Sequence, residues 1–243
     1  CPGAAREGGG GPPAGAKAKT AAAAAAARHI ALVGNPNCGK TALFNLLTGA
    51  RQKVANYAGV TVERKVGTAA LPGGRRIAVV DLPGTYGLEP TTPDEQVTLE
   101  VILGQRAGED APDAIVAVVD ATNLRMNLRL VLQLRSLGRP MVVALNLIDA
   151  ARAQGLAIDT AVLSRELGCP VVETVAVQRN GHEALLGALA ALDAAPAAPA
   201  APSTVPRRTQ AELQQEVRRI LALAAPTSPR VQRFRHAVDA VVL

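Results

Sequence analysis

Apolar positions along this chain fall into two textures: short unbroken runs, and longer stretches in which they recur every three or four residues. Residues 29–33, 76–80, 114–119, 141–145 and 170–173 are mainly apolar runs of strand length, with His29, Arg76 and Glu173 only at their ends. Such runs are expected of strands buried on both faces of a parallel sheet. Residues 62–71 predict a sixth strand, folded back on 76–80 through Pro72-Gly73-Gly74 as a hairpin. Helical spacing fills the intervals. Leu43, Phe44, Leu46 and Leu47 lie within 39–48, closed by Gly49. Thr92, Pro93 and Glu95 supply an N-cap, a first-turn proline and a capping-box carboxylate ahead of Val97, Leu99, Val101 and Ile102. Residues 123–137, 161–167 and 182–192 complete the set. Strands alternating with helices predict an α/β fold of three layers around a six-stranded, mostly parallel sheet.

Both ends read differently. Residues 1–28 are low in complexity, with glycine at 8–11, Pro12-Pro13 and alanine at 21–27, and predict a disordered lead. Residues 194–206 form an Ala/Pro linker, and 209–223 and 231–243 predict two further helices separated by Pro226 and Pro229. The organisation is thus a lead (1–28), a main domain (29–193), the linker and a helical region (207–243). The chain opens on Cys1 and stops inside its last helical pattern, which predicts a piece of a longer protein. No apolar run approaches the roughly 18 residues of a membrane span.

The net charge of +6 suggests nucleic acid only until it is placed. Residues 1–28 hold four basic and one acidic residue, 203–243 hold seven and three, and 29–202 hold fifteen and sixteen. A nucleic-acid footprint lies on a folded face, and the foldable middle is nearly neutral. Aromatic residues make up 2% of the chain, too few for base-stacking platforms. Cys1, Cys38 and Cys169 lack metal-type spacing and fit a reducing compartment.

The stretch Gly34-Asn-Pro-Asn-Cys-Gly39-Lys40-Thr41 matches G-x-x-x-x-G-K-[ST] between a predicted strand and a predicted helix. In such a loop Gly34, Asn35, Pro36, Asn37, Cys38 and Gly39 curl around phosphate oxygens, and the helix start through Ala42 adds its positive dipole end. Lys40 is suited to the β/γ-phosphates and the Thr41 hydroxyl to Mg²⁺. Asp81-Leu-Pro-Gly84 follows the strand 76–80: Asp81 can hold Mg²⁺ through water, and the Gly84 N–H can sense a γ-phosphate. Alone this is a common strand-end turn; its place 41 residues after Lys40 favours the nucleotide. Asn146-Leu-Ile-Asp149 follows 141–145. Asp149 can accept hydrogen bonds from the N1–H and exocyclic amine of guanine, whereas adenine would leave it unpaired, so the order of motifs predicts GTP over ATP. Thr61, 20 residues after Thr41, can bring a second hydroxyl to Mg²⁺ from a mobile loop, with Thr48 and Thr68 as competitors on spacing.

On these motifs, residues 29–192 resemble the G domain of the ferrous-iron transport protein B family. The distinctive residues are Gly34-Asn-Pro-Asn-Cys-Gly-Lys-Thr-Ala-Leu-Phe-Asn45, Asn56-Tyr-Ala-Gly-Val-Thr-Val-Glu-Arg-Lys65, Asp81-Leu-Pro-Gly-Thr-Tyr86 and Asn146-Leu-Ile-Asp149. Residues 209–243 are similar to the helical domain that precedes the first membrane segment in that family. The resemblance implies a Ras-like P-loop GTPase using GTP/GDP and Mg²⁺ at the cytoplasmic face of the bacterial inner membrane. There it would regulate Fe²⁺ uptake by its own membrane transport domain, with a small cytosolic partner and homo-oligomer contacts as further associations, and no nucleic acid. It also implies a K⁺ held by Asn37 beside the phosphates, spreading transition-state charge as an arginine finger does; a bare turn role for Asn37 competes. The catalytic set is then Asn37, Lys40, Thr61 and Gly84.

Three departures carry expectations. Tyr57-Ala58 stands where the family has Trp-Pro, predicting a looser first switch. Val175-Ala176 stands where it has Ser-Ala, leaving backbone N–H groups but no hydroxyl for the guanine. Thr85 replaces the water-positioning Gln of Ras proteins, predicting slow intrinsic hydrolysis. Cys38 reads as an ordinary small residue, and His29, His182 and His236 as structural or surface groups. The Arg-rich end suits a juxtamembrane positive bias. The alternatives are a nucleotide-state binding module with negligible hydrolysis, and a slow guanine-nucleotide switch of a ribosome- or RNA-associated family.

Overall fold

The computed structural model describes residues 28–49, 52–178, 180–194, 204–206 and 208–225. Its strands are β1 (His29–Gly34), β2 (Gln52–Asn56), β3 (Glu63–Ala70), β4 (Arg76–Asp81), β5 (Ala114–Asp120), β6 (Met141–Asn146) and β7 (Val171–Glu173). Its helices are α1 (Lys40–Thr48), α2 (Pro93–Leu103), α3 (Leu124–Arg135), α4 (Ile148–Ala153), α5 (Thr160–Leu167), α6 (Glu183–Ala194) and α7 (Gln210–Ala224). The strands form one sheet in the order β2-β3-β4-β1-β5-β6-β7. Pairing is parallel from β4 through β1, β5 and β6 to β7, and antiparallel where β3 joins β4 and β2 joins β3.

The sheet therefore has seven strands, not the six expected. The extra strand is β2, whose five residues are all exposed, so it carries no apolar pattern to read. It is held by backbone pairing alone, from Gln52↔Gly67 to Asn56↔Glu63, at an edge where Lys53 discourages further strand addition. Helix α4, six residues long, is too short for a helical period to show.

Alternate residues of each central strand serve opposite layers. Ile30 and Leu32 of β1 join Leu43, Phe44, Leu185 and Leu189 in a core beneath α1 and α6. Ala31 and Val33 join Val101, Leu128, Val131 and Leu163 in the larger core beneath α2, α3 and α5. That same core takes in Leu213, Val217, Ile220 and Ala224, the apolar stripe of α7, which starts with a Thr209–Glu212 capping box. The C-terminal end of α7 is tied down where the Asp159 N–H donates to the Ala224 carbonyl at 2.7 Å. The lead 1–27, most of the linker and the predicted helix at 231–243 lie outside the described residues. Among the described residues no helix is long and apolar enough to cross a membrane.

Parallel packing brings the C-terminal ends of β1, β4 and β6 to one edge, where an open α/β sheet offers a ligand crevice. Gly34, Asp81 and Asn146 are the last residues of these strands.

Candidate nucleotide site

Between β1 and α1 the chain makes a tight loop whose shape depends on two glycines. Gly39 precedes α1 with φ +83°, and a Cβ there would lie 2.3 Å from Asn146 Nδ2. At Gly34 a Cβ would lie 2.5 Å from the Val118 carbonyl oxygen. Asn37 also has a left-handed φ of 65°, a conformation Asn tolerates, so the turn by itself accounts for an asparagine there. No side chain caps α1 and its first turn holds no acid, leaving the backbone N–H groups turned toward the loop. The Asn35 amide is 3% exposed, and neither of its polar atoms has a hydrogen-bond partner. Such orphans are rare, and this one lies in the loop that would wrap phosphate.

Lys40, Thr41 and Asp81 meet. Lys40 Nζ lies 2.5 Å from Asp81 Oδ1, both side chains nearly buried, and Thr41 Oγ1 donates to Asp81 Oδ2 at 2.9 Å. The Asp81 carboxylate thus holds the loop lysine and the helix hydroxyl together. A hydroxyl and a carboxylate are a hard-oxygen donor set, which suits Mg²⁺. The strand end is drawn onto the loop by backbone as well, with the Thr85 N–H donating to the Gly34 carbonyl at 3.1 Å. Gly84 lies so close to Pro36 that an added Cβ would sit 3.1 Å from it.

On the base side the structure divides the expected roles. The Asn146 side chain is fully buried: its Nδ2 donates to the Cys38 carbonyl at 3.0 Å, and its Oδ1 accepts from the Ala176 N–H at 3.1 Å. Asn146 therefore braces the phosphate loop against the turn after β7. Val175 and Ala176, expected to offer N–H groups to the base, have both committed them, Val175 to the Gly181 carbonyl at 2.9 Å and Ala176 to Asn146. An N–H has one hydrogen, so neither can serve the base as well. The Val177 N–H is the one nearby with no partner among the described residues, and its residue is 80% exposed. Asp149 is exposed in the first turn of α4 and has no partner among the described residues. Leu147, just before it, has φ +59°, an uncommon conformation for a branched side chain that sets the direction of this turn.

Thr61 and Tyr57 lie in the first of the two expected switch segments and Thr85 in the second. Thr61 is exposed in the β2–β3 turn, and no hydrogen bond among the described residues joins it to Thr41 or Asp81. Tyr57, expected to give a looser first switch, has its ring packed inside the fold. It is 2% exposed with Arg106 over its ring at 6.0 Å, and Arg106 Nη2 donates to the Ala58 carbonyl at 2.5 Å. In the second segment Thr85 is fully buried, its hydroxyl donating to the Gly87 carbonyl at 2.5 Å. Glu95 gathers that segment by accepting from the Thr91 N–H and hydroxyl, the Tyr86 N–H and, at 3.4 Å, the Thr85 hydroxyl. These bonds, the Thr91 N–H first, hold its carboxyl below the usual range. Gln133 of α3 fastens the far end, accepting from the Leu88 N–H at 3.1 Å. Glu95 could be read from sequence only as a capping residue, and Gln133 left no signal there. Burial pushes the Cys38 thiol up to about 11, keeping it protonated and unreactive near neutral pH.

Comparison with known proteins agrees with this geometry. A family model described as ferrous iron transport protein B matches residues 28–189. The Fe(2+) transporter FeoB of Salmonella typhimurium is 52% identical over 160 residues, which are 64% of this chain but 20% of that protein. Among solved structures, the cytosolic domain of the T. maritima FeoB iron transporter in GMPPNP form matches with a TM-score of 0.72 and 26% identity, over 82% of this chain and 100% of that one. The cytosolic domain of L. pneumophila FeoB matches with a TM-score of 0.69 and 31% identity, again over 82% of this chain and 100% of that one.

Proposed function

The chain belongs to the ferrous iron transport protein B family, and we propose that it binds guanine nucleotide and hydrolyses GTP for a transporter of which it is one part. The observation that carries this reading is the junction of Lys40 and Thr41 on Asp81, which joins phosphate loop, helix and strand end in one cluster. Lys40 would leave Asp81 for the β/γ-phosphates when nucleotide binds. Thr41 and Asp81 would then hold Mg²⁺, with Thr61 added from the first switch. That ion supplies neutralisation of the charge developing on the β- and γ-phosphate oxygens. Gly84, packed on Pro36, would report the γ-phosphate to the second switch through its N–H. Asn37 is our candidate for K⁺. Asp149 reads the guanine, Asn146 holds it in register with the loop, and Val177 rather than Ala176 offers the N–H.

Slow turnover has physical support: Thr85 stands at the water-positioning place with its hydroxyl and N–H already engaged, so it cannot orient a nucleophile. This favours a switch held for long periods in its GTP state. Its similarity to Fe(2+) transporters supports a place at the cytoplasmic face of a membrane beside a transport domain, where its nucleotide state would regulate Fe²⁺ uptake; a small cytosolic partner and homo-oligomer contacts belong to the same reading. The near-neutral folded region speaks against the RNA-associated alternative.

GTP turnover measured in K⁺ and in Na⁺, with Asn37→Ala alongside, tests the reaction. Faster turnover in K⁺, lost in Asn37→Ala, is the expected result; equal rates in both salts overturn the potassium role. Equal affinity for ATP and GTP overturns the role of Asp149.

A further inference from the structure

A groove of about 420 Å³ lies between α3 and α7, lined by Arg125, Met126 and Arg129 from one helix and Gln214, Val217 and Arg218 from the other. Three guanidinium groups converge on it and no carboxylate does. Arg125 and Arg129 are four residues apart on one helix, an arrangement of like charges that weakens a helix rather than supporting it. Among the described residues neither Arg125 nor Arg218 has a hydrogen bond or ion pair; Arg129 donates through Nη2 to Gln210 Oε1, and its buried Nε has no partner there. The contrast with Arg219, the next residue on α7, is direct: it bonds Glu216 and Glu166, each at 2.8 Å. Arg64, Arg106, Arg152 and Arg219 are each bound to a carboxylate, whereas among the described residues no acid pairs with those of the groove. The floor is apolar, with Met126 48% exposed above the buried Val217.

From this we propose that the α3–α7 groove is a docking surface for an acidic, amphipathic helical segment of a partner protein. Carboxylates one helical turn apart would meet Arg125, Arg129 and Arg218, and an apolar residue between them would lie on Met126. Arginine is the cation suited to bidentate carboxylate contacts. A concave site with an apolar floor fits an inserted side chain better than the flat surface of a bilayer. Since α7 packs on α3 in the main core, a partner seated here touches both helices at once. The proposal goes beyond the nucleotide chemistry and does not depend on it.

The test uses the full 243-residue chain. A fluorescein-labelled helical peptide of glutamate and leucine, with glutamates at i and i+4, is titrated by anisotropy. A copy with lysine for glutamate and phosphatidylglycerol vesicles serve as controls. Saturable binding of the acidic peptide, weakened by salt and absent for the lysine copy, is expected. The Arg125→Glu/Arg218→Glu variant should weaken it by about tenfold or more while raising the melting temperature, because the like-charge pair on α3 is removed and an acid enters the first turn. Those opposite signs separate lost docking from lost folding. Unchanged binding in the variant, equal binding of the lysine copy, no binding, or binding of the vesicles in place of the peptide would each overturn it.

Discussion

Tyr57 shows how far the surroundings of a single side chain lie beyond its identity. As a substitute for tryptophan it suggests a looser segment, yet its ring is buried and covered by Arg106. Its hydroxyl is buried with no partner among the described residues, which carries a desolvation penalty with nothing there to offset it. Burial also raises its pKa, so the phenol stays neutral. Tyr57→Phe keeps the ring and removes the orphan, and should stabilise the chain by about 1 kcal/mol in thermal or urea unfolding. A loss of stability would show that the hydroxyl has a partner. The residues of the nucleotide motifs were legible because each motif combines fixed spacing with a residue type that little else can replace. Val177 was not legible: which N–H stays free is settled by what Asn146 and Gly181 take from its neighbours.

Elements were legible in proportion to the apolar surface they bury. Strands β1, β5 and β6 and helix α3 stand out because nearly every inward position is aliphatic, whereas β2 buries nothing and is created by its pairing with β3. Helix α7 is an intermediate case. Its period was visible, but not where its stripe would land, which is the core already shared by α3 and α5. Ile220→Ala, at a fully buried position on that stripe, should lower stability by about 3 kcal/mol. If α7 docks as one cooperative unit with the nucleotide fold, chemical unfolding of this variant stays a single transition shifted to lower urea. A separate early transition, with the rest unchanged, would show that α7 is held independently.

At the scale of the molecule, a core built almost without aromatic side chains buries one thiol and partly covers a second. Cys38, in the phosphate loop, and Cys169, before β7, are both pushed up to about 11 by burial, from an ordinary value near 9. A raised native pKa means that the folded chain keeps protons the unfolded chain has released. The stability due to these neutral thiols is complete below about pH 9 and is lost as pH rises toward about 11. Urea unfolding across that range should show the decline, and Cys38→Ala/Cys169→Ala should flatten it; an unchanged slope would assign it to other groups. The sequence by itself determined the α/β class, the order of the nucleotide motifs, the family and the placing of the net positive charge at the two ends, because spacing, periodicity and composition are local or additive properties. Tertiary structure alone decided that Asn146 braces the loop, that Asp81 gathers Lys40 and Thr41, and that three arginines face one groove. Those relations join residues far apart in the chain, and only the packing of the sheet and its helices sets which donors and charges finally meet.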